Sequence, residues 1–191
     1  MGCTEPIALA YIASKARDIL GDLPEQVIVK ASGSIIKNVK SVIVPHTNHL
    51  KGIPAAVVAG LIAGKSEKEL EVISEVSEAQ IEAINEYLKK DNIVVEYLDS
   101  DHVFDIIITL TKANDIVNVR IKDFHTNIVL IEKNGEVLFE KLDEEPTNQH
   151  PRADRSLLDI KSIWDFINTV EIKDIEDVLN RQIAYNTAIY E

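Results

Sequence analysis

Cysteine is nearly missing from this sequence, which has only Cys3 among 191 residues. One cysteine cannot form an internal disulfide, and the first residues lack the basic segment of a secretory signal peptide, so we expect a cytoplasmic protein. Basic side chains are also scarce, with 20 lysines and arginines against 32 acidic residues and a net charge of −12. Since this charge repels phosphate backbones and anionic membrane surfaces, we expect no nucleic-acid partner.

Long apolar runs are missing as well. The longest, residues 53 to 63, is interrupted by Pro54 and Gly60 and is too short to span a bilayer, so we expect no membrane partner. Hydrophobic residues nevertheless make up 46% of the chain. At this length, that is enough for one substantial core, or for one domain and part of another.

The chain starts with a helix signal beside its one thiol. Thr4 is a good N-cap residue, Glu5 favours the positive end of the helix dipole, and Pro6 is tolerated in a first turn. A thiol at Cys3 would face unpaired backbone N–H groups, which favour the thiolate and make it a better nucleophile or metal ligand. The alternative is that Cys3 is a small buried hydrophobe, as free cysteines often are.

The predicted first helix continues to Gly21 and is apolar on every side, so most of its surface must be covered. Two further helices are predicted near the other end, over residues 156–170 and 172–190, after a polar linker at 143–155. We therefore expect the termini to meet, with residues 1–21 and 150–191 forming part of a helical domain whose remainder is missing.

Between the termini, residues 22–149 predict an α+β domain. A β-branched stretch begins at Val27, and residues 35–44 suggest another strand after a break at 32–34. Amphipathic helices are predicted over 65–73 and 77–89. The period then changes to two, and five strands are predicted over 93–98, 104–110, 116–121, 128–132 and 137–139. Their short connectors, including the hairpin signal Asn134-Gly135, imply a mainly antiparallel sheet with helices packed on one face.

Two polar segments stand out between these elements. Residues 45–52 form a predicted loop that leads into a helix from Pro54 to Ala63, a natural place to hold a carboxylate or phosphate. His46 and His49 in this loop could bind metal, but surface histidines are the simpler interpretation. The second segment, residues 124–127, predicts a turn with an Asx-type hydrogen bond.

Four segments together resemble the amino-terminal half of the L-cysteine desulfidase family, which is related to the iron-sulfur L-serine dehydratase alpha chains. They occur in the family's order over nearly the whole chain: Gly2-Cys-Thr-Glu-Pro-Ile-Ala-Leu-Ala10, Ser32-Gly-Ser-Ile-Ile-Lys-Asn-Val39, Val44-Pro-His-Thr-Asn-His-Leu-Lys-Gly-Ile-Pro-Ala-Ala56, and His125-Thr-Asn-Ile128 followed by Asn134-Gly-Glu-Val137.

The resemblance implies a [4Fe-4S] lyase in which three cysteines hold the cluster and one iron is left open to act on the substrate. Its reaction is the α,β-elimination of L-cysteine to pyruvate, ammonia and hydrogen sulfide. Cys3 matches the first cluster ligand. Catalytic candidates are Glu5 beside it and His125, because histidine is the side chain that titrates near neutral pH. The matched substrate-binding candidates are Thr4, Thr47, Asn48, Lys51, Gly52, Thr126 and Asn127.

The sequence departs from the family in two ways. The other two cluster cysteines belong to a carboxy-terminal half that is absent, and one thiolate cannot hold the cluster. The loop His46-Thr-Asn-His49 also replaces a more glycine-rich version. We therefore expect a fragment that lacks the cluster and is inactive alone, whose partners are an amino-acid substrate and the missing half, with a homodimer as one way to cover apolar surface.

Three alternatives remain open at this point. The first is an L-serine dehydratase. The second is a hydrolase or transferase that uses Cys3 with His125 as base. The third is a non-catalytic binding or assembly domain that docks on a partner chain through its acidic surface and helical faces.

Overall fold

The computed structural model describes residues 4–141 and 158–190, with side chains described to residue 188. The described residues fall into two compact units, one formed by 4–141 and the other by 158–190. The predicted linker at 143–155 lies outside the described residues. The larger unit contains four α-helices and six strands, with bounds α1 Glu5–Leu20, β1 Gln26–Ala31, α2 Gly33–Val39, α3 Gly52–Ala63, α4 Glu78–Leu88, β2 Ile93–Tyr97, β3 Asp105–Lys112, β4 Asp115–Lys122, β5 Ile128–Lys133 and β6 Glu136–Glu140.

The six strands form one sheet in the order β2-β1-β3-β4-β5-β6. All neighbouring pairs are antiparallel except β1 and β2, which are parallel. The predicted hairpin is confirmed: Asn134 and Gly135 join β5 to β6 with φ values of 54° and 82°, as a type I′ turn requires. The predicted α+β fold with a mainly antiparallel sheet is therefore confirmed.

One face of the sheet forms the core with the helices. Alternate residues of the central strands are fully buried, among them Val29 of β1, Ile108 of β3 and Val119 of β4. Helix α1 packs on β3 and β4 with one side and on α3 with another. This position between the sheet and a second helix explains why α1 is apolar all round.

The contact between α1 and α3 is unusually close. Gly60 of α3 and Gly64, the residue directly after α3, face Ala10 and Ser14, which are four residues apart on α1. A Cβ built on Gly60 would lie 2.1 Å from the carbonyl oxygen of Ala10. Glycine is therefore required at position 60 because the two backbones leave no room for a side chain.

The strand predicted over residues 35–44 is wrong. Residues Gly33–Val39 form helix α2, and the break at 32–34 is the start of this helix. Two β-branched side chains, Ile35 and Val39, are buried, and their spacing of four places them on one face of a helix. Tertiary packing thus outweighs the strand preference of this short segment.

The helix predicted over 65–73 is also only partly correct. Residues Ser66–Glu71 form a 3₁₀ segment with a kink at Glu69, where φ is 48°. The next helix, α4, is confirmed with its capping box: the Ser77 side chain accepts from the Gln80 backbone, and the Gln80 side chain accepts from the Ser77 backbone.

The smaller unit contains α5, Ile160–Thr169, and α6, Ile172–Tyr190, close to their predicted bounds. The grouping of the first helix differs from our expectation for residues 1–21, because α1 packs within the larger unit. Its apolar surface is covered by the sheet and α3, which the sequence pattern did not indicate. A helical domain completed by a missing half stays a prediction.

Within residues 4–141 and 158–190, no helix combines the length and apolar character needed to cross a bilayer.

Candidate functional site

Two of the predicted segments meet at the amino end of α1. Thr4 occupies the N-cap position, and its carbonyl oxygen accepts the first helical hydrogen bond from Ala8, but its side chain does not cap the helix. The Thr4 Oγ1 instead lies 2.8 Å from Nε2 of His125, a residue 121 positions away. The direction of this hydrogen bond depends on the imidazole tautomer, because either group can donate or accept.

His125 sits in the turn between β4 and β5, and two features hold it there. Its ring packs on Phe104, with centroids 4.6 Å apart and planes tilted by 53°. The turn is closed by Asn127, whose Nδ2 donates to the Lys122 carbonyl at 2.8 Å and whose backbone N–H donates to the Phe124 carbonyl at 3.1 Å. The predicted turn is therefore present, and its hydrogen bonds position the imidazole. The predicted Asx-type bond is not formed among the described residues, because the Asn127 side chain donates to Lys122 and accepts from Lys141 instead.

The other predicted residues of this turn make mainly structural contacts. The Asn127 side-chain oxygen accepts a hydrogen bond from Lys141 at 2.9 Å. The Thr126 carbonyl accepts from the backbone of Ile128 at 3.0 Å. Both residues lie close to His125 in the chain, and their roles as substrate ligands stay predictions.

Helix α2 adds a third segment to this site. The Asn38 Nδ2 donates to Oε1 of Glu5 at 3.4 Å, next to Thr4. At the start of α2, the Ser32 hydroxyl donates to the Val103 carbonyl at 2.6 Å, and the Ser32 backbone N–H donates to the Asp105 backbone carbonyl at 2.9 Å. These bonds connect the start of α2 to the start of β3, directly after Phe104.

The loop before α3 is the fourth predicted segment, and its backbone is unusual. Three non-glycine residues, His46, Asn48 and His49, have left-handed φ values of 58°, 54° and 68°. The buried Thr47 hydroxyl donates to the Val44 carbonyl at 2.8 Å, which closes the loop. Left-handed conformations in non-glycine residues carry strain that the surrounding contacts must offset.

The end of this loop pairs with the short segment that follows α2. Gly52 has a φ of 87°, and its N–H donates to the Val42 carbonyl at 3.2 Å. Lys51 is exposed and forms a backbone bridge with Ile43.

Pro45 and His46 line a surface cavity together with Ile7 of α1. The loop therefore lies near the first turn of α1, although within residues 4–141 no hydrogen bond joins Thr47, Asn48, Lys51 or Gly52 to Thr4 or His125.

The structure adds an ion pair that we did not predict, between a buried carboxylate and an arginine whose side chain is 32% exposed. Asp105 at the start of β3 is fully buried, and Arg120 of β4 donates to both of its oxygens, at 2.9 Å from Nε and 2.6 Å from Nη2. Ser100 donates to the same carboxylate at 2.7 Å. Burial alone would raise the pKa of Asp105, but the hydrogen bonds from Arg120 and Ser100 outweigh it and lower that pKa.

Asp105 directly follows Phe104, so the ion pair anchors the strand that carries the ring under His125. The sequence did contain a signal for this pair. Asp105 starts one predicted strand and Arg120 lies near the end of the next, and such residues approach each other across an antiparallel pair.

The predicted cluster ligand Cys3 lies outside the described residues. Within the described ranges, no three or more histidine, aspartate or glutamate side chains are grouped closely enough to hold a metal ion. With one cysteine in the whole chain, these 191 residues alone do not fit a [4Fe-4S] cluster. They could supply at most one of its thiolates.

Comparison with known proteins finds similarity to UPF0597 proteins. The chain is 50% identical over 189 residues to one from Desulfitobacterium hafniense, 39% over 191 residues to one from Treponema denticola, and 41% over 189 residues to one from Lachnoclostridium phytofermentans. These matches cover 99%, 100% and 99% of this chain, but 44%, 44% and 45% of the relatives.

No family model and no solved structure matches the chain. The name of the relatives states neither a substrate nor a reaction, so the desulfidase resemblance stays a prediction. The chain is thus similar, over its whole length, to somewhat less than half of each of these UPF0597 proteins.

Proposed function

We propose that this chain is part of an iron-sulfur lyase that converts L-cysteine to pyruvate, ammonia and hydrogen sulfide. The observation that carries the proposal is the 2.8 Å contact between Thr4 and His125. It joins the segment after Cys3 to the His125 turn, two segments that resemble the desulfidase family and are far apart in the sequence. The Asn38–Glu5 contact adds a third such segment at the same place.

The reaction needs a base and a way to orient the substrate. L-Cysteine loses its α-proton to a base while the β carbon–sulfur bond breaks, and the sulfur leaves with a proton as hydrogen sulfide. The resulting aminoacrylate takes up water to give pyruvate and ammonia. We assign proton movement to His125, whose Nε2 is oriented by Thr4, and electrostatic orientation to Glu5. Substrate contacts are assigned to the exposed loop residues Asn48 and Lys51 and to the turn residues Thr126 and Asn127. Thr47 and Gly52 are assigned to shaping this loop, because their hydroxyl and backbone N–H bond to the Val44 and Val42 carbonyls.

The cluster itself requires cysteines that this chain lacks. We therefore assign them to the remainder of a longer polypeptide, because the relatives are more than twice as long as the region that matches. In this proposal Cys3 contributes one ligand, and the described residues contribute the groups around the substrate. A related L-serine dehydratase would use the same arrangement, with water as the leaving group in place of hydrogen sulfide.

The direct test uses the full-length D. hafniense relative and the 191-residue chain, each reconstituted anaerobically with iron and sulfide and then desalted. We expect the relative to release equimolar sulfide and pyruvate from L-cysteine, and the 191 residues alone to release neither. L-Serine is assayed in parallel, and pyruvate formed only from L-serine would assign the dehydratase activity. A relative that turns over neither amino acid contradicts the proposed lyase, and turnover by the 191 residues alone contradicts the division of the cluster ligands.

A second prediction concerns the Thr4–His125 contact in the chain alone. Thr4→Val removes the hydroxyl while keeping the shape of the side chain, so the tautomer preference of His125 should change by about 1 kcal/mol, or roughly fivefold in the tautomer ratio. Nitrogen-15 NMR of the imidazole measures this ratio. Thr111→Val is the control, because Thr111 lies near the end of β3 opposite to Phe104, the residue whose ring packs on His125. Equal imidazole spectra for Thr4→Val and the unmodified chain would show that the contact does not orient His125.

A further inference from the structure

Helices α5 and α6 expose large apolar side chains along their length. On α5, Ile160, Ile163, Trp164 and Ile167 are 88%, 48%, 64% and 62% exposed. Their spacing of three and four residues places them on one face of the helix. We call this stripe the α5 apolar face.

The second helix repeats the pattern. Val178, Leu179 and Ile183 are 69%, 45% and 62% exposed and follow the same helical spacing. We call these three residues the α6 apolar face. Among the described side chains from 158 to 188, none is buried, so the described part of this unit has no hydrophobic core of its own.

Such helices need a partner for stability. Isolated helices shorter than about 12 to 15 residues are marginal in water, and α5 has only 10 residues. Most helical stability in proteins comes from packing of an apolar face, which applies to the 19-residue α6 as well. Contiguous exposed apolar surface of this kind marks an interaction site. The question is therefore which surface covers these faces.

The lengths of the relatives indicate that the partner is the part of the longer polypeptide outside the matched region. The α5–α6 region lies within matches that cover nearly all of this chain but less than half of each relative. In a continuous polypeptide, the remaining segment is present at high effective concentration and loses no translational freedom on packing.

Charge argues against a second copy as the partner. Between residues 158 and 190 there are six acidic side chains, Asp159, Asp165, Glu171, Asp174, Glu176 and Asp177, against the basic Lys161, Lys173 and Arg181. The whole chain carries −12. Two copies would bring like-charged rims together, which disfavours association.

We propose that the α5 and α6 apolar faces are the docking surface for the segment that the longer relatives possess outside the matched region. This proposal specifies the partner named under the proposed function, but it concerns association and not turnover.

Hydrogen exchange tests the docking surface without any activity assay. The probes are the α5 and α6 amides in the 191-residue chain and the aligned amides in the full-length D. hafniense relative, each corrected for intrinsic exchange rate. We expect exchange to be at least about tenfold slower in the relative. Helix α3, which is buried within the larger unit, is the internal control and should be protected in both proteins.

Two outcomes would overturn the proposal. One is exchange in the relative as fast as in the 191-residue chain while α3 stays protected. The other is protection of α5 and α6 in the 191-residue chain that rises with protein concentration, which assigns the faces to a second copy. Because Trp164 is the chain's one tryptophan, a concentration-dependent blue shift of its emission reports the same self-association. The two tests are independent: protection of α5 and α6 can be observed in a relative without lyase activity, and lyase activity can be observed without that protection.

Discussion

Gly60→Ala is expected to lower the free energy of unfolding by about 3 kcal/mol, at the upper end of the usual cost of overpacking. The new Cβ would lie 2.1 Å from the carbonyl oxygen and 2.7 Å from the Cα of Ala10. These are backbone atoms, so α1 and α3 must separate to make room. The better helix propensity of alanine returns only about 1 kcal/mol. Urea unfolding followed by circular dichroism measures the difference.

Gly33→Ala is the matched control for this prediction. Gly33 is likewise a helical glycine of the larger unit, at the first position of α2, but a Cβ there would lie 3.5 Å from the Tyr97 ring, an ordinary contact. We expect this change to alter stability by less than about 1 kcal/mol. Equal unfolding midpoints for the two variants would contradict the close packing of α1 on α3. Because α1 carries Thr4 at its amino end, loosening this helix should also disturb the contact to His125.

Arg120→Met is expected to cost about 3 kcal/mol at pH 7, because it leaves the fully buried Asp105 carboxylate without its charged partner. The hydrogen bond from Ser100 remains and offsets only part of this loss. Lys30→Met is the control, since Lys30 and Glu96 form an ion pair at 3.5 Å with both side chains nearly half exposed. Removing that exposed pair should change stability by about 0.5 kcal/mol or less.

The effect of Arg120→Met should depend on pH. In the unmodified chain the pKa of Asp105 is lowered. Its stabilising contribution is therefore present above the unfolded value of about 3.9 and is lost as pH falls through the lower folded pKa. In the variant, burial without Arg120 favours the protonated carboxyl, so acid relieves the penalty. The stability difference between the two proteins should shrink between pH 7 and pH 4, and a constant difference would contradict the ion-pair interpretation.

Local patterns in the sequence were sufficient for many elements. Five strands from Ile93 onward, the Asn134-Gly135 turn and the Ser77 capping box were predicted because each depends on residues close in the chain. The same reasoning failed for α2. Ile35 and Val39 are β-branched residues in a short segment, and their burial against the larger unit decides for a helix.

The candidate site shows the same limit. The resemblance named Thr4 and His125 separately, but a contact across 121 positions depends on how α1 packs on β3 and β4. The Asp105–Arg120 pair was not predicted because each residue, considered separately, is an ordinary polar residue of a strand. The parallel pairing of β1 with β2 was likewise unpredicted, since it joins strands separated by three helices.

The sequence by itself determined the acidic charge, the single thiol at Cys3, most helices and strands and the α+β class, because composition and short-range periodicity carry that information. Only the tertiary structure decided that α1 belongs with the sheet, that Thr4 turns its side chain to His125 instead of capping its helix, and that α5 and α6 keep apolar faces exposed. These features depend on which distant surfaces bury one another, and burial between segments far apart in the chain leaves no local pattern.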